Sequence, residues 1–122
     1  MRLVLDSDPR IHLIRSYDAG VIVVAAQRLT RPCLITPQQL LSDWQARSLA
    51  LLRIDELEPL WRLGGEIALL GSDEPAVWPS VEVRAAFRER RIALECMNLG
   101  AACRTYNILA GEARSVIAGL FP

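Results

Sequence analysis

The sequence predicts an α/β fold in which helices pack on a mixed β-sheet, with a β-hairpin portion at the front. The first half of the chain carries short apolar runs separated by turn residues, which is typical of strands and hairpins. The second half alternates buried apolar runs with amphipathic helical patterns, which is typical of βαβ units. With 122 residues, of which 52% are hydrophobic and 23% charged, we expect one folded domain over residues 1–122.

Strands dominate the first half of the chain. Alternation predicts a strand at "RIHLIR" (10–15), a β-branched run predicts one at "GVIVVAA" (20–26), and "CLIT" (33–36) follows as a third. The pattern of "SLALLR" (48–53) fits more than one type of element, and we interpret it as a strand. We interpret the flanking stretches "SYDAG" and "AQRLTR" as turns that bound the second run. Pro37 ends the third strand.

The second half alternates helices and strands. We predict a helix over 55–63, a strand over 66–71, a helix over 80–91, a strand over 92–97, a helix over 100–111 and a strand within 112–121. Val83, Ala86 and Phe87 form an apolar stripe on the second of these helices. Alternation over 116–121 indicates a final strand that is buried on both faces. The run over 66–97 is a βαβ unit, so its two strands are expected to be parallel.

The helix that contains "GAACRTYN" (100–107) combines an apolar arc with a narrow polar stripe. At about 100° per residue, the arc holds Tyr106 and is predicted to face the core. Arg104 and Asn107 share the opposite stripe with Gly100, and they lie within reach of each other at a spacing of i, i+3. We therefore expect Tyr106 to be buried with its hydroxyl hydrogen-bonded, and Arg104 and Asn107 to point away from the core.

Two loops are predicted to meet at the carboxyl edge of the sheet, where ligands bind in open α/β folds. One loop follows the strand at 66–71, and the other opens the helix at 100–111. Asn98 is a candidate N-cap for that helix, and the small residues after it leave the first-turn amides open to an anion. The candidate ligand-binding or partner-binding residues are Gly71, Ser72, Asp73, Asn98, Gly100, Arg104 and Asn107.

Structural roles are the alternative for each of these side chains. Arg104 is placed to pair with a carboxylate such as Asp73 or Glu112, and structural ion pairs also occupy clefts. Asn98 has the N-cap role alone as its alternative, and Ser72 and Asp73 are ordinary turn residues. Three tryptophans near predicted element ends either belong to the core or mark a partner surface: Trp44, Trp61 and Trp78.

Charge and composition argue against several classes of protein. The 14 basic and 14 acidic residues balance, unlike those of a nucleic-acid-binding protein, so we expect no nucleic-acid partner. The basic residues are all arginines, which excludes a Schiff-base lysine and a P-loop lysine. No apolar run approaches the roughly 20 residues of a membrane span, and the N-terminus does not resemble a signal peptide. We expect no membrane insertion and a cytoplasmic location.

No catalytic or metal-binding set is complete in the sequence. A metal site is not expected, because His12 is the sole histidine and the three cysteines form no CxxC pair. We expect Cys33, Cys96 and Cys103 to be buried, unreactive thiols rather than a disulfide framework. Cys103 has no candidate base and Ser72 has no partner histidine, so neither a catalytic residue nor a cofactor is predicted.

The sequence also resembles a known family, most specifically over residues 97–114. "LLGSD" (69–73), a following helix, "LECMNLGAACRTYNILAGEAR" (94–114) and a short apolar tail are similar to the Mth-938-like domain family of unknown function, and the resemblance covers nearly the whole chain. It implies a three-layer α/β domain with a mixed central sheet and a final strand antiparallel to the others. It also implies no established catalysis and no known cofactor. The family's mitochondrial branch includes an assembly factor of the NADH dehydrogenase complex, which implies a scaffold role.

Two functions are therefore predicted. The first is a non-enzymatic protein-interaction or complex-assembly module whose partner is another protein. The alternative is a small-ligand or anion-binding domain, with or without a hidden enzymatic activity, which uses the predicted cleft around Arg104. Fold alone does not decide between them, because one fold supports many functions.

Overall fold

The computed structural model of the protein describes residues 10–18, 20–74 and 78–122. Within these ranges the strands are β1 (Ile14–Asp18), β2 (Val21–Val24), β3 (Gln27–Leu29), β4 (Cys33–Ile35), β5 (Leu40–Leu41), β6 (Ile67–Ser72), β7 (Ala93–Met97) and β8 (Val116–Phe121). The α-helices are α1 (Glu58–Leu63), α2 (Val81–Glu89) and α3 (Leu99–Gly111). A short 3-10 helix over Ile54–Leu57 leads into α1.

The strands form two sheets. β1, β2 and β3 make a three-stranded antiparallel sheet, here called the front sheet. The other five strands make the central sheet, in the order β5-β4-β8-β6-β7. β6 is parallel to β7 and β8, whereas β4 is antiparallel to β8 and β5. The central sheet is therefore mixed, as predicted.

Both faces of the central sheet are covered, which gives the expected three layers. α3 lies against β6 and β8 on one face, and the front sheet packs on α3 through β1. α1 and α2 cover the other face, together with the segment around Trp44. Ala118 and Leu120 of β8 face α3, whereas Ile117 and Phe121 face the opposite core, so the two-sided final strand is confirmed.

The front sheet differs from the prediction at its turns. β1 starts at Ile14 and runs through Tyr17 to Asp18, so most of the predicted turn "SYDAG" is strand. A register shift between Ile14 and Ser16 marks a bulge, which resets the alternation and lets Tyr17 pack towards the core. β3 lies within the predicted boundary "AQRLTR", because the chain already reverses at Ala25, whose φ is 53°.

The predicted strand over 48–53 is wrong, because this segment forms a turn. The Ser48 hydroxyl accepts a hydrogen bond from the Leu51 amide at 3.2 Å, and the Leu52 amide donates to the Leu49 carbonyl at 3.4 Å. Leu49 and Leu52 are buried, whereas Leu51 is 62% exposed. Leucines buried three residues apart suit a turn against the core, whereas a half-buried strand would bury alternate residues.

The second half of the chain follows the predicted order of elements. The predicted helices over 55–63, 80–91 and 100–111 and the strands over 66–71 and 92–97 are confirmed, with bounds that shift by a few residues. The direction of the final strand is a correction. β8 is antiparallel to β4 but parallel to β6, because the chain crosses over through α3 before it enters β8.

Candidate functional site

The loops after β6 and β7 meet at the start of α3. Asp73 Oδ1 accepts a hydrogen bond from the Leu99 amide at 3.0 Å, which ties the two loops together. Asn98 is the N-cap of α3, and its Oδ1 accepts a hydrogen bond from the Ala101 amide at 2.8 Å. Oxygens of this chain thus bind two first-turn amides of α3, and the Asp73 carboxylate already lies at the positive end of the helix.

Close packing accounts for both glycines of the candidate site. Gly71 lies in β6, where an added Cβ would lie 2.5 Å from the Cβ of Ala102 in α3. Gly100, in the first turn of α3, faces Tyr17, and an added Cβ would overlap with the tyrosine ring. Both glycines are buried, and they allow β6, α3 and β1 to approach one another closely.

Asn107 holds β1 against α3. Its Oδ1 accepts a hydrogen bond from the Ile14 amide, and its Nδ2 donates to the Ile14 carbonyl, both at 2.8 Å. The residue is only 6% exposed, so the prediction that it points away from the core is wrong. That prediction assumes solvent opposite the apolar arc of the helix, whereas the front sheet covers this part of α3.

Tyr106 is confirmed as a core residue with a bonded hydroxyl. It is fully buried, and its Oη donates a hydrogen bond to the His12 carbonyl at 2.7 Å. Burial raises the pKa of the phenol above its ordinary value, because the charged form would lose its hydration. The bond adds a second tie between α3 and the chain that enters β1.

Arg104 is exposed beside the front sheet. Its Nη1 donates a hydrogen bond to the Tyr17 hydroxyl at 2.6 Å, which joins α3 to β1. Among the described residues it makes no ion pair with Asp73 or Glu112, the two carboxylates considered from the sequence. Because a guanidinium has five N–H donors and the bond to Tyr17 uses one, Arg104 is suited to bind a partner as well.

Ser72 and Tyr17 complete the surroundings of the site. Ser72 is buried, and its Oγ accepts a hydrogen bond from the Glu74 amide at 3.2 Å, which is the turn role considered from the sequence. The sequence prediction misses Tyr17, because it lies in a stretch interpreted as a turn. An aromatic residue just after the alternating run over 10–15 is the signal that would extend the strand and include it.

Burial makes the three cysteines poor nucleophiles. It raises the pKa of Cys33 and of Cys103 from 9.0 to about 12, and the pKa of Cys96 to about 11. Arg104 lowers and Asp73 raises the pKa of Cys103, both less than burial does, so both charges act on this thiol. All three are free thiols, and Cys33 and Cys103 are buried as predicted, whereas Cys96 is half-buried. Since the thiolate is the reactive form, their reactivity is low near neutral pH.

Two adjoining clefts lie at the opposite end of the central sheet, near the amino ends of β6 and β8. One, of about 440 Å³, is lined by His12, Gln27, Arg62, Leu63 and residues 38–42. The other, of about 390 Å³, is lined by residues 36–38, 63–65 and 113–116. None of the candidate residues lines either cleft, so these clefts are separate from the site predicted from the sequence.

The described ranges contain neither a cluster of metal ligands nor a membrane-spanning helix. In these ranges, no group of three or more histidine, cysteine, aspartate or glutamate side chains is arranged so that it could hold a metal ion. In the same ranges, every helix is too short or too polar to cross a bilayer.

Comparisons with known proteins agree with this architecture. A family model described as a protein of unknown function (DUF498/DUF598) matches residues 14–121. A curated relative from Bos taurus, NADH dehydrogenase (ubiquinone) 1 alpha subcomplex assembly factor 3, is 30% identical over 122 residues. The aligned region covers 98% of this chain but 66% of the relative, so the chain spans slightly less than two thirds of that protein.

Solved structures share the fold. An NMR structure from Xanthomonas campestris has a TM-score of 0.82 and 31% identity, with 98% of this chain and 92% of that chain covered. A Bordetella pertussis protein, described as an Mth938-like domain, has a TM-score of 0.70 and 23% identity, with 100% and 92% covered. The chain has the fold of the Mth938-like domain, and from the family match over residues 14–121 we conclude that it belongs to the family of proteins of unknown function DUF498/DUF598.

Proposed function

We propose that the protein is a non-enzymatic protein-interaction or complex-assembly module that binds another protein through the surface around Arg104. One observation carries the proposal. The side-chain oxygens of Asp73, Asn98 and Asn107 accept hydrogen bonds from main-chain amides of this chain. Arg104, in contrast, is exposed, and its bond to the Tyr17 hydroxyl uses one of the five N–H donors of a guanidinium. A surface with an exposed arginine suits recognition of a protein, because arginine is enriched in protein interfaces.

The named relatives support an assembly role. The Bos taurus and Mus musculus proteins, both named as NADH dehydrogenase assembly factors, are 30% and 28% identical to this chain. The chain spans 66% and 62% of their lengths, so the identity of their target is not carried over to it. The proposal is supported by the type of role in the relatives' names, which is assembly of a protein complex.

The proposed Arg104 surface consists of Arg104, Tyr17 and the exposed Asn98. The bond between the Tyr17 hydroxyl and Arg104 Nη1 holds the guanidinium in one position, which reduces the side-chain entropy lost on binding. Tyrosine and arginine, together with tryptophan, are the residue types enriched among those that contribute most to binding energy in interfaces. Trp78, 66% exposed between β6 and α2, is a further exposed aromatic side chain of this kind.

A small-ligand or anion-binding function is the alternative, and the start of α3 is its strongest support. The Asp73 carboxylate, however, binds the Leu99 amide in the position that an anion would take. A bound anion would have to displace the Asp73 carboxylate from the Leu99 amide, and it would then lie close to the negative charge of Asp73. Phosphate binding that strengthens in Asp73→Asn would favour the alternative function.

Affinity purification from cytoplasmic extract of the native host tests the proposal. Tagged wild type is compared with Arg104→Ala and with the matched control Arg88→Ala, which removes an exposed arginine from α2. We expect one near-stoichiometric protein with wild type and with the control, and its loss with Arg104→Ala. Absence of such a protein from all three samples would contradict the proposal. The cytoplasmic location itself stays a prediction.

A further inference from the structure

We propose that the free edge of β5 is a docking site for an extended peptide that carries an acidic side chain. The site is the 440 Å³ cleft described above, here called the β5 groove, which is lined by His12, Gln27, Arg62, Leu63 and residues 38–42. It is separate from the Arg104 surface, so either proposal stands or fails without the other.

The main chain of β5 has hydrogen-bonding groups that point into the groove. Among the described strands, β5 pairs with β4 alone. The Thr36 amide donates to the Gln39 carbonyl at 2.8 Å, and the Gln39 amide donates to Thr36 Oγ1 at 2.9 Å, so Thr36 and Gln39 occupy the bonded position that closes the hairpin between β4 and β5. Bonded and non-bonded pairs alternate in an antiparallel ladder, so the next pair, Ile35 and Leu40, is non-bonded. The N–H and C=O of Leu40 therefore point away from β4, where a further strand would lie.

The groove has the shape that an added strand needs. Leu40 packs towards the core under α3 and Leu41 towards the opposite core, so β5 forms the floor between two layers. Gln27 of the front sheet and Arg62 of α1 belong to these two layers and form the walls. A strand seated on β5 would direct alternate side chains to the two walls, which is how peptides bind by strand addition. The volume lies within the roughly 300–1,000 Å³ of ligand sites.

Three glutamines supply further hydrogen-bonding groups. Gln27, Gln38 and Gln39 line the groove and are exposed. Their side-chain amides make no hydrogen bond within the part of the chain that the structure describes. Each amide offers both donors and an acceptor, which matches the paired N–H and C=O groups of a peptide main chain.

Charge explains the preference for an acidic peptide. The arginine Arg62 lines the groove, and no carboxylate lies among its described lining residues. The adjoining cleft adds Arg114, again without a carboxylate among the described residues that line it. Arg62 Nη1 bonds Glu58 Oε2 at 2.8 Å, but this exposed i, i+4 pair is weak. Arg62 is therefore free to exchange Glu58 for an acidic side chain of the peptide.

NMR titration of the ¹⁵N-labelled protein with synthetic peptides tests the proposal. The probe is a short capped peptide of alternating valine and glutamate, and its control replaces glutamate with lysine. We expect saturable shifts of the Leu40 amide and of the Gln27 side-chain amide, with affinity at least about tenfold weaker for the lysine peptide. A version N-methylated on every peptide amide is expected not to bind, because neither edge of its main chain can then donate hydrogen bonds to β5.

Matched variants separate the groove from general charge effects. Arg62→Glu is expected to weaken the glutamate peptide by about tenfold or more. Arg53→Glu is the control, since Arg53 is also an exposed arginine with an exposed carboxylate partner, Asp55 at 3.1 Å, but lies outside the groove. We expect it to change the affinity by less than about twofold.

Several results would overturn the proposal. These are shifts that do not saturate, equal binding of the N-methylated peptide, or equal loss in both arginine variants. Dimers that form through β5 without peptide would also overturn it, in favour of a second copy of this chain. Arg104→Ala is expected to leave peptide binding unchanged, which keeps this test distinct from that of the proposed function.

Discussion

At the scale of single residues, Arg104 and Asn107 show how neighbours on one helix stripe take opposite roles. Asn107 is buried and bonds both main-chain groups of Ile14, whereas Arg104 is exposed and bonds the hydroxyl of Tyr17. A helical wheel places the two together, because it contains no information about the front sheet. The placement of that sheet on α3 decides which of the two is structural.

Replacement of Asn107 is expected to destabilise the fold. Asn107→Ala leaves the buried amide and carbonyl of Ile14 unbonded, so we expect the free energy of unfolding to fall by about 2–4 kcal/mol. Urea denaturation measures this change. Ile108→Ala is the control on the next residue, which is 61% exposed, and we expect a change within about 0.5 kcal/mol. An equal, small effect in both variants would show that the Asn107 bonds are not important for stability.

Replacement of Arg104 is expected to have little effect on stability. Arg104→Ala removes an exposed side chain and leaves no buried charge unpaired, so its cost should stay under about 1 kcal/mol. The same urea experiment measures it. A loss of about 3 kcal/mol or more, which is typical of a broken buried pair, would make Arg104 a structural residue and remove the basis for the partner surface.

At the scale of elements, periodicity predicts the long elements and fails for the short ones. α3 and β8 carry enough residues for their patterns to show, and both are confirmed. β5 has two residues and β3 has three, which is too little for any pattern, and pairing with neighbours defines them instead. The error over 48–53 has the same origin, because burial against the core placed Leu49 and Leu52 in a turn.

The contact between β6 and α3 depends on the absence of a side chain at position 71. Gly71→Ala places a Cβ 2.5 Å from that of Ala102, so we expect a loss of about 1–3 kcal/mol. Adding Ala102→Gly removes the clash, and the double variant is expected to be more stable than the sum of the two single effects. Thermal unfolding of all four proteins measures this coupling. Strictly additive losses would mean that the two residues do not limit the approach of α3.

At the scale of the whole molecule, the topology of the candidate site is predictable but its chemistry is not. Parallel strands put the loops after β6 and β7 on one edge, and Asp73 does meet Leu99 there. The bond between Arg104 and Tyr17 joins residues 87 positions apart, and no local pattern reports such a contact. The surface around Arg104 is therefore defined by the packing of the front sheet on α3, which the sequence pattern does not report.

Buried thiols make the stability of the whole fold sensitive to high pH. The pKa of Cys33 and of Cys103 is about 12 in the fold and 9.0 ordinarily, so the folded state holds their protons more tightly. Their contribution to stability is complete below pH 9 and is lost as the pH rises towards 12. We expect the free energy of unfolding to fall above pH 9, and to fall less in Cys33→Ala/Cys103→Ala. Identical pH profiles of the two proteins would contradict this.

The most direct test of the proposed function is photo-cross-linking from position 104. A photoreactive amino acid replaces Arg104 in one sample and the exposed Arg88 of α2 in another, and both proteins are irradiated in host cells. We predict that one protein is cross-linked from position 104 and not from position 88, because the partner covers the Arg104 surface. If both folded proteins cross-link to the same background, or to nothing, the surface around Arg104 binds no protein and the account is wrong.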